Sequence, residues 1–169
     1  AAAAGVDVWV NGEIGTSSLE LVLAQTGSPG AIYHLAGGSV VGASFANPLE
    51  DSERTVHTTV RLLEWIRRRC GDVPVVAVSS AAVYGAGHEG PLAEQTAGRP
   101  FSPYGYHKSI METLCRSYAQ NFGLRSAIVR VFSAYGPGLR KQILWDLCGR
   151  LGASTDGIVL DGTGHERRD

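Results

Sequence analysis

The sequence predicts an α/β fold built on an open parallel sheet, on three observations. Four short runs rich in β-branched residues, Val6–Val10, Ala31–Leu35, Val73–Val78 and Ala127–Phe132, are apolar at neighbouring positions, as strands covered on both faces are. Longer segments with apolar residues at helical spacing separate them. Glycine and small polar residues gather after the second and third runs, where the carboxyl ends of parallel strands leave room for a ligand. Strand and helix alternating in this order call for right-handed βαβ units.

The first run, Val6–Val10, is expected to be a strand. Ser17-Ser18-Leu19-Glu20 has the form of a capping box and opens a helix through Ala24, which Gly27 and Pro29 end. Ala31–Leu35 is the second strand. From Glu50 to Cys70, Val56, Val60, Leu63 and Ile66 recur at helical spacing, and Gly71 closes the helix. His57 and Trp65 on this helix are expected at a surface or interface. Val73–Val78 is the third strand. Ser102 and Pro103 suit an N-cap and a first helical residue, so a helix runs from Tyr104 to Phe122, with Met111, Leu114, Cys115, Tyr118 and Phe122 apolar and Gly123 as its stop. Ala127–Phe132 is the fourth strand. A turn-rich hinge, Ser133–Gly138, precedes a further helix over Leu139–Leu151, a loop over Gly152–Gly157 and a short strand over Ile158–Leu160.

Composition narrows the function. The 169 residues suit one domain with a substantial core, and 44% hydrophobic with 18% charged residues is a globular balance. A formal net charge of −1 leaves no footprint for nucleic acid or an anionic membrane. The one dense basic run, Arg67-Arg68-Arg69, complements a helix C-terminus. Three cysteines far apart in the chain suggest free thiols and a cytoplasmic, reducing setting. The five histidines show no metal-ligand spacing, so no metal is expected.

The chemistry-bearing feature is Tyr104 with Lys108. Spacing i, i+4 puts phenol and ammonium on one helical face. A neighbouring ammonium favours phenolate, which makes a candidate proton donor and acceptor. Three further segments fall at strand ends: His34-Leu35-Ala36-Gly37-Gly38, Val78-Ser79-Ser80-Ala81-Ala82-Val83-Tyr84-Gly85, and Arg130 to Pro137. Tyr106, between Tyr104 and Lys108, points elsewhere on the helix and is expected to pack. Tyr84 and Tyr135 are open between packing and ligand contact.

Together these segments resemble the extended short-chain dehydrogenase/reductase family, in its nucleotide-sugar epimerase/dehydratase branch. The resemblance runs from Val8 to Asp169 and implies a Rossmann-like, doubly wound sheet over residues 6–132, with residues 133–169 opening a substrate-binding region. It implies an NAD cofactor. His34–Gly37 matches the family's "HxAG" and Gly12-Glu13-Ile14 its "GDI" turn, so Glu13, Ile14, Leu35, Ala36, Gly37 and Ser79 are expected at the cofactor with Tyr104 and Lys108. Ser80 of "SSxxVYG" with Tyr104 and Lys108 of "YxxxK" would be catalytic. Ser80, Ala81, Ser133 (where the family has Asn) and Arg168 of "GxG…RD" would meet a nucleotide-sugar. The family's dehydratases carry an Asp-Glu pair where this chain has Ala81-Ala82, so the resemblance favours a C4 epimerase. A 4-keto-sugar reductase using NADPH and a non-catalytic binding protein are the alternatives. The helices over 50–70 and 104–122 resemble the family's dimer-forming pair, which implies a homodimer.

One family element is missing from these residues. The Gly-x-x-Gly-x-x-Gly turn that seats the cofactor's pyrophosphate does not occur in the 169 residues. The chain is therefore expected to be the interior portion of a longer protein, with Ala1–Ala4 as placeholder residues.

Overall fold

The computed structural model describes residues 5–140, 142–153 and 158–160. Two compact units divide the chain, Ala1–Arg130 and Val131–Asp169.

The first unit is an α/β layer on a three-stranded parallel sheet, a Rossmann-like arrangement. Its strands are β1 (Ile32–His34), β2 (Val75–Ser80) and β3 (Ser126–Val131), in the order β1-β2-β3. β1 and β2 run parallel, with Ile32 opposite Val75 and His34 opposite Ala77. Along β2, Val75, Ala77 and Ser79 are buried while Val76, Val78 and Ser80 are half-buried. Successive strand residues face opposite ways, so Ser79 and Ser80 are sent to different faces.

The helices cover this sheet. α1 (Thr16–Thr26) precedes β1; α2 (Val41–Ala46) and α3 (Pro48–Ser52) follow it. α3 continues through a five-residue π-helical segment, Glu53–His57, into α4 (Thr58–Arg69). α5 (Pro103–Phe122) joins β2 to β3. The core forms where α4 and α5 meet the sheet and includes Leu62, Leu63, Ile66, Val75, Met111 and Cys115. Truncating a fully buried member such as Ile66 to alanine costs about 2–5 kcal/mol.

Several expectations change. Val6–Val10 pairs with no strand among the described residues; β character needs a ladder partner as well as an apolar pattern. The N-cap of α1 is Gly15, not Ser17: the Gly15 amide donates to Ser18 Oγ at 3.2 Å, and Ser18 Oγ donates to the Glu13 carbonyl at 2.6 Å. Glu20 does not close a capping box. It accepts from Trp65 Nε1 at 2.7 Å and from the Arg69 guanidinium through two bonds of 2.8 Å. Trp65 is consequently core, 7% exposed, and not a surface residue. The helix expected over 50–70 starts earlier and contains the π segment, and α2 was not foreseen. α5 begins as predicted, with Ser102 Oγ accepting from the Gly105 amide at 3.1 Å, Pro103 at its start and Gly123 in the left-handed region at its end.

In the second unit, α6 (Gln142–Ala153) is the helix expected over Leu139–Leu151, shifted toward the C-terminus. Ile158–Leu160, expected as a short strand, pairs with no described residue. No helix among the described residues is long and apolar enough to cross a membrane.

Candidate active site

Ser102 and Pro103 start α5 where Tyr104 and Lys108 fall on its first two turns. The Tyr104 amide donates to Ser44 Oγ of α2 at 3.0 Å, which ties this helix start to the segment after β1. Gly105 brings the same turn against the Ser80 strand end. A Cβ there would lie 2.7 Å from the Ala82 carbonyl oxygen, closer than packed atoms tolerate, and 3.1 Å from Pro100 Cβ. Ser80 caps the 3₁₀ turn Ala81–Val83, its Oγ accepting from the Ala82 amide at 3.2 Å. A small residue beside Tyr104 thus lets the phenol-bearing turn and the Ser80 turn touch.

Lys108 is 4% exposed. Its Nζ donates to the Val78 carbonyl at 2.9 Å and lies 5.9 Å from the centre of the Tyr104 ring. Burial pulls the ammonium below its ordinary range, and the Asp51 carboxylate partly opposes this. Gly37, at φ +145°, turns the segment after β1 past this ammonium, and a Cβ there would lie 3.1 Å from Lys108 Nζ. The Gly38 amide donates to Thr55 Oγ1 at 2.9 Å, inside the π segment.

His34 is 3% exposed and bonds through Nε2 to Thr59 Oγ1 at 2.9 Å. Thr59 donates its only hydroxyl proton to the Thr55 carbonyl at 2.6 Å, so His34 must carry its hydrogen on Nε2. Burial, with the nearby Lys108 charge, lowers the imidazole to about 4. His34 is therefore neutral at physiological pH.

Glu13, Ile14, Ala36 and Gly37 line one cleft of about 620 Å³, together with Glu53 and Arg61. Four residues expected at the cofactor thus meet in space. Leu35 lies beside them in sequence and is 68% exposed. Ser79 is different: its buried hydroxyl spends its proton on Glu112 Oε1 at 2.7 Å. Ser133 is exposed and lies in the second unit, while Arg168 lies outside the described residues. Tyr84 is buried under the Arg130 guanidinium, 4.6 Å from its ring centre; Tyr106 and Tyr135 are exposed.

Sequence reasoning missed Glu112. This carboxylate, 2% exposed, accepts from Ser79, from Arg116 at 2.7 Å and from both Nε and an Nη of Arg130 at 2.8 Å. Arg130 also donates to the Glu94 carbonyl at 2.9 Å. Only its position four residues after Lys108 could have hinted that it faces inward. Asp51 and Thr55 were missed as well, since nothing in a charged helical stretch marks them as buried.

A family model described as the NAD dependent epimerase/dehydratase family matches residues 5–169. The chain belongs to that family. It is 34% identical over 146 residues to UDP-glucose 4-epimerase of Azospirillum brasilense, covering 86% of this chain and 39% of that protein. It is 31% identical over 118 residues to GDP-6-deoxy-D-mannose reductase of Pseudomonas aeruginosa, covering 69% of this chain and 39% of that protein. Among solved structures it is similar to UDP-glucose 4-epimerase from Brucella ovis in complex with NAD, with TM-score 0.66 and 32% identity over 72% of this chain and 37% of that one. The chain spans about two fifths of the length of the curated relatives it matches.

Proposed function

We propose that this chain carries the catalytic centre of an NAD-dependent nucleotide-sugar epimerase acting at C4, with Tyr104 as its acid and base. The observation that carries the proposal is the meeting of Tyr104, Lys108 and the Gly37 backbone at the start of α5, with the Ser80 turn packed against Gly105. The residues present fit the cofactor where they can be compared with it. Gly37 keeps the space beside Lys108 free of a side chain, and Glu13, Ile14 and Ala36 share its cleft. When bound, NAD takes a hydride from the sugar carbon and returns it.

Within that reading, Tyr104 removes the proton of the sugar hydroxyl and later restores it, and Lys108 orients the cofactor ribose and stabilises the phenolate. Ser80 hydrogen-bonds the reacting oxygen, and Ala81 follows it in the same turn. Ala81 and Ala82 cannot move a proton, which speaks against loss of water from the sugar. Relatives named for UDP-glucose support a nucleotide-sugar as substrate.

A second copy of the chain is the expected partner, through the helices over 50–70 and 104–122. Val60, Tyr106, Ile110 and Phe122, all exposed on α4 and α5, support this. The free thiols of Cys70, Cys115 and Cys148 support a cytoplasmic setting.

The similarity to GDP-6-deoxy-D-mannose reductase keeps a second reading in view, a 4-keto-sugar reductase consuming NADPH. Incubating the purified intact protein with UDP-glucose and UDP-galactose, without added cofactor, separates the two. The epimerase reading expects their interconversion, followed by proton NMR, and NAD(H) released on denaturation. Stoichiometric oxidation of NADPH with a 4-keto sugar would transfer the assignment to the reductase. Neither reaction would reject both.

A further inference from the structure

Lys108 and Asp51 flank consecutive residues of the segment after β1. A Cβ on Gly37 would press on Lys108 Nζ, and a Cβ on Gly38 would overlap the Asp51 carboxylate. Asp51 is 7% exposed, at the end of α3 just before the π segment. Its Oδ2 is 2.6 Å from Nδ1 of His107, the residue immediately before Lys108 on α5. A buried carboxylate is costly unless it is hydrogen-bonded and paired. Here the hydrogen bond comes from His107, beside Lys108 on α5.

We propose that Asp51, held by His107, is a positioning residue of the catalytic centre: it seats the Gly37–Gly38 backbone and serves as the counter-charge of Lys108. This rests on the reading of Lys108 as a working residue, and adds a residue that neither the Tyr104–Lys108 spacing nor the strand-end segments single out. The two bare glycines are the reason the contact can form. With any side chain at Gly38, the Asp51 carboxylate would be pushed from its place.

Burial and the Asp51 charge act on the Lys108 ammonium in opposite directions. Among the described residues, Lys108 has Asp51 from α3, His34 from β1 and the Tyr104 ring near it, and Val78 of β2 contributes a carbonyl; Glu112, one turn along α5, is taken up by Arg130, Ser79 and Arg116. His34 is neutral near pH 7, so Asp51 is the anion that opposes the desolvation of Lys108.

The test follows the Lys108 ammonium directly. In intact protein labelled with ¹³Cε-lysine, the Lys108 resonance is identified by its loss in Lys108→Arg and titrated without substrate. Asp51→Asn is expected to move its midpoint down by roughly one pH unit, and to lower kcat roughly tenfold with KM little changed. Asp51→Glu should recover part of both. His107→Leu, which leaves the carboxylate without its donor, should move the midpoint in the same direction, and His107→Gln should restore it. This second pair stands in if Asp51→Asn does not fold. An unmoved Lys108 midpoint in folded Asp51→Asn overturns the proposal, as does one that is the same in His107→Leu as in wild type. Because the titration needs no turnover, a wild-type protein without epimerase activity would reject the functional reading and leave the Asp51 result to be judged separately.

Discussion

Lys108 and Glu112 sit one turn apart on α5, both almost completely buried and both ionisable, yet they are treated in opposite ways. Glu112 is saturated. Burial pushes its carboxyl up, but bonds from Arg130, Ser79 and Arg116 together outweigh this and hold it below the usual carboxylate range. Lys108 has one hydrogen bond to a protein acceptor among the described residues, the Val78 carbonyl, and burial wins over Asp51, so its ammonium is held below its ordinary range. A buried charge whose valences are all used ties elements together. A buried charge with valences to spare beside a bare glycine is available to a ligand. The first joins α5 to β2, β3 and the loop at Glu94; the second faces the segment after β1.

Three experiments press on that contrast. The largest effect is expected from Tyr104→Phe, which removes the proton-transfer group beside Lys108 and leaves the Glu112 network intact. Turnover of the intact protein should fall on the order of 10²–10⁴-fold, with NAD binding retained in a fluorescence titration. Near wild-type turnover would end the assignment of this corner as the catalytic one.

Glu112→Gln attacks the saturated corner. It leaves Arg130 facing an amide that cannot match two guanidinium donors, and a loss of about 2–4 kcal/mol is expected in denaturant unfolding. If stability were unchanged while turnover collapsed, the roles of the two corners would have to be exchanged. The sign with pH is also set. The folded-state pKa of Glu112 is lowered from 4.5, so its contribution is complete above about 4.5 and is lost as pH falls through the folded value.

The smallest effect is expected from His34, which separates the two by pH. Its folded pKa is lowered from 6.5 to about 4, so the unfolded chain takes up the proton first and stability declines as pH falls from 6.5 toward 4. That decline should amount to roughly 2–3 kcal/mol. It begins well above the range in which Glu112 titrates. His34→Gln, which keeps a donor for Thr59, should flatten the limb between pH 6.5 and 4.5 in thermal melts. An unaltered limb there would show that another group controls it.

The start of α5 was readable because all its determinants are local. Ser102 caps, Pro103 presets φ, and the 3.6-residue repeat brings Tyr104 and Lys108 onto one face. Most strand positions were readable for the same reason. Val6–Val10 was misjudged because pairing depends on a neighbour, which an apolar pattern does not supply. The capping box at Ser17 failed because Glu20, the residue meant to close it, is drawn 45 and 49 residues along the chain to Trp65 and Arg69. The π segment at Glu53–His57 had no periodic signature, yet it supplies Thr55 to the Gly38 amide.

By itself, the sequence determined the α/β class, the succession of α1, β1, α4, β2, α5 and β3, and the identity of the Tyr104–Lys108 pair, since periodicity, capping and turn chemistry act over a few residues. Tertiary structure alone decided which charges are buried and what each one meets. Glu112 became an anchor because Ser79 and Arg130, from two other segments, converge on it. Asp51 became the neighbour of Lys108 because two glycines let α3 and α5 approach the segment after β1. Burial and charge pairing depend on distances between segments far apart in the chain, and those distances exist only once the sheet and its helices have closed on one another.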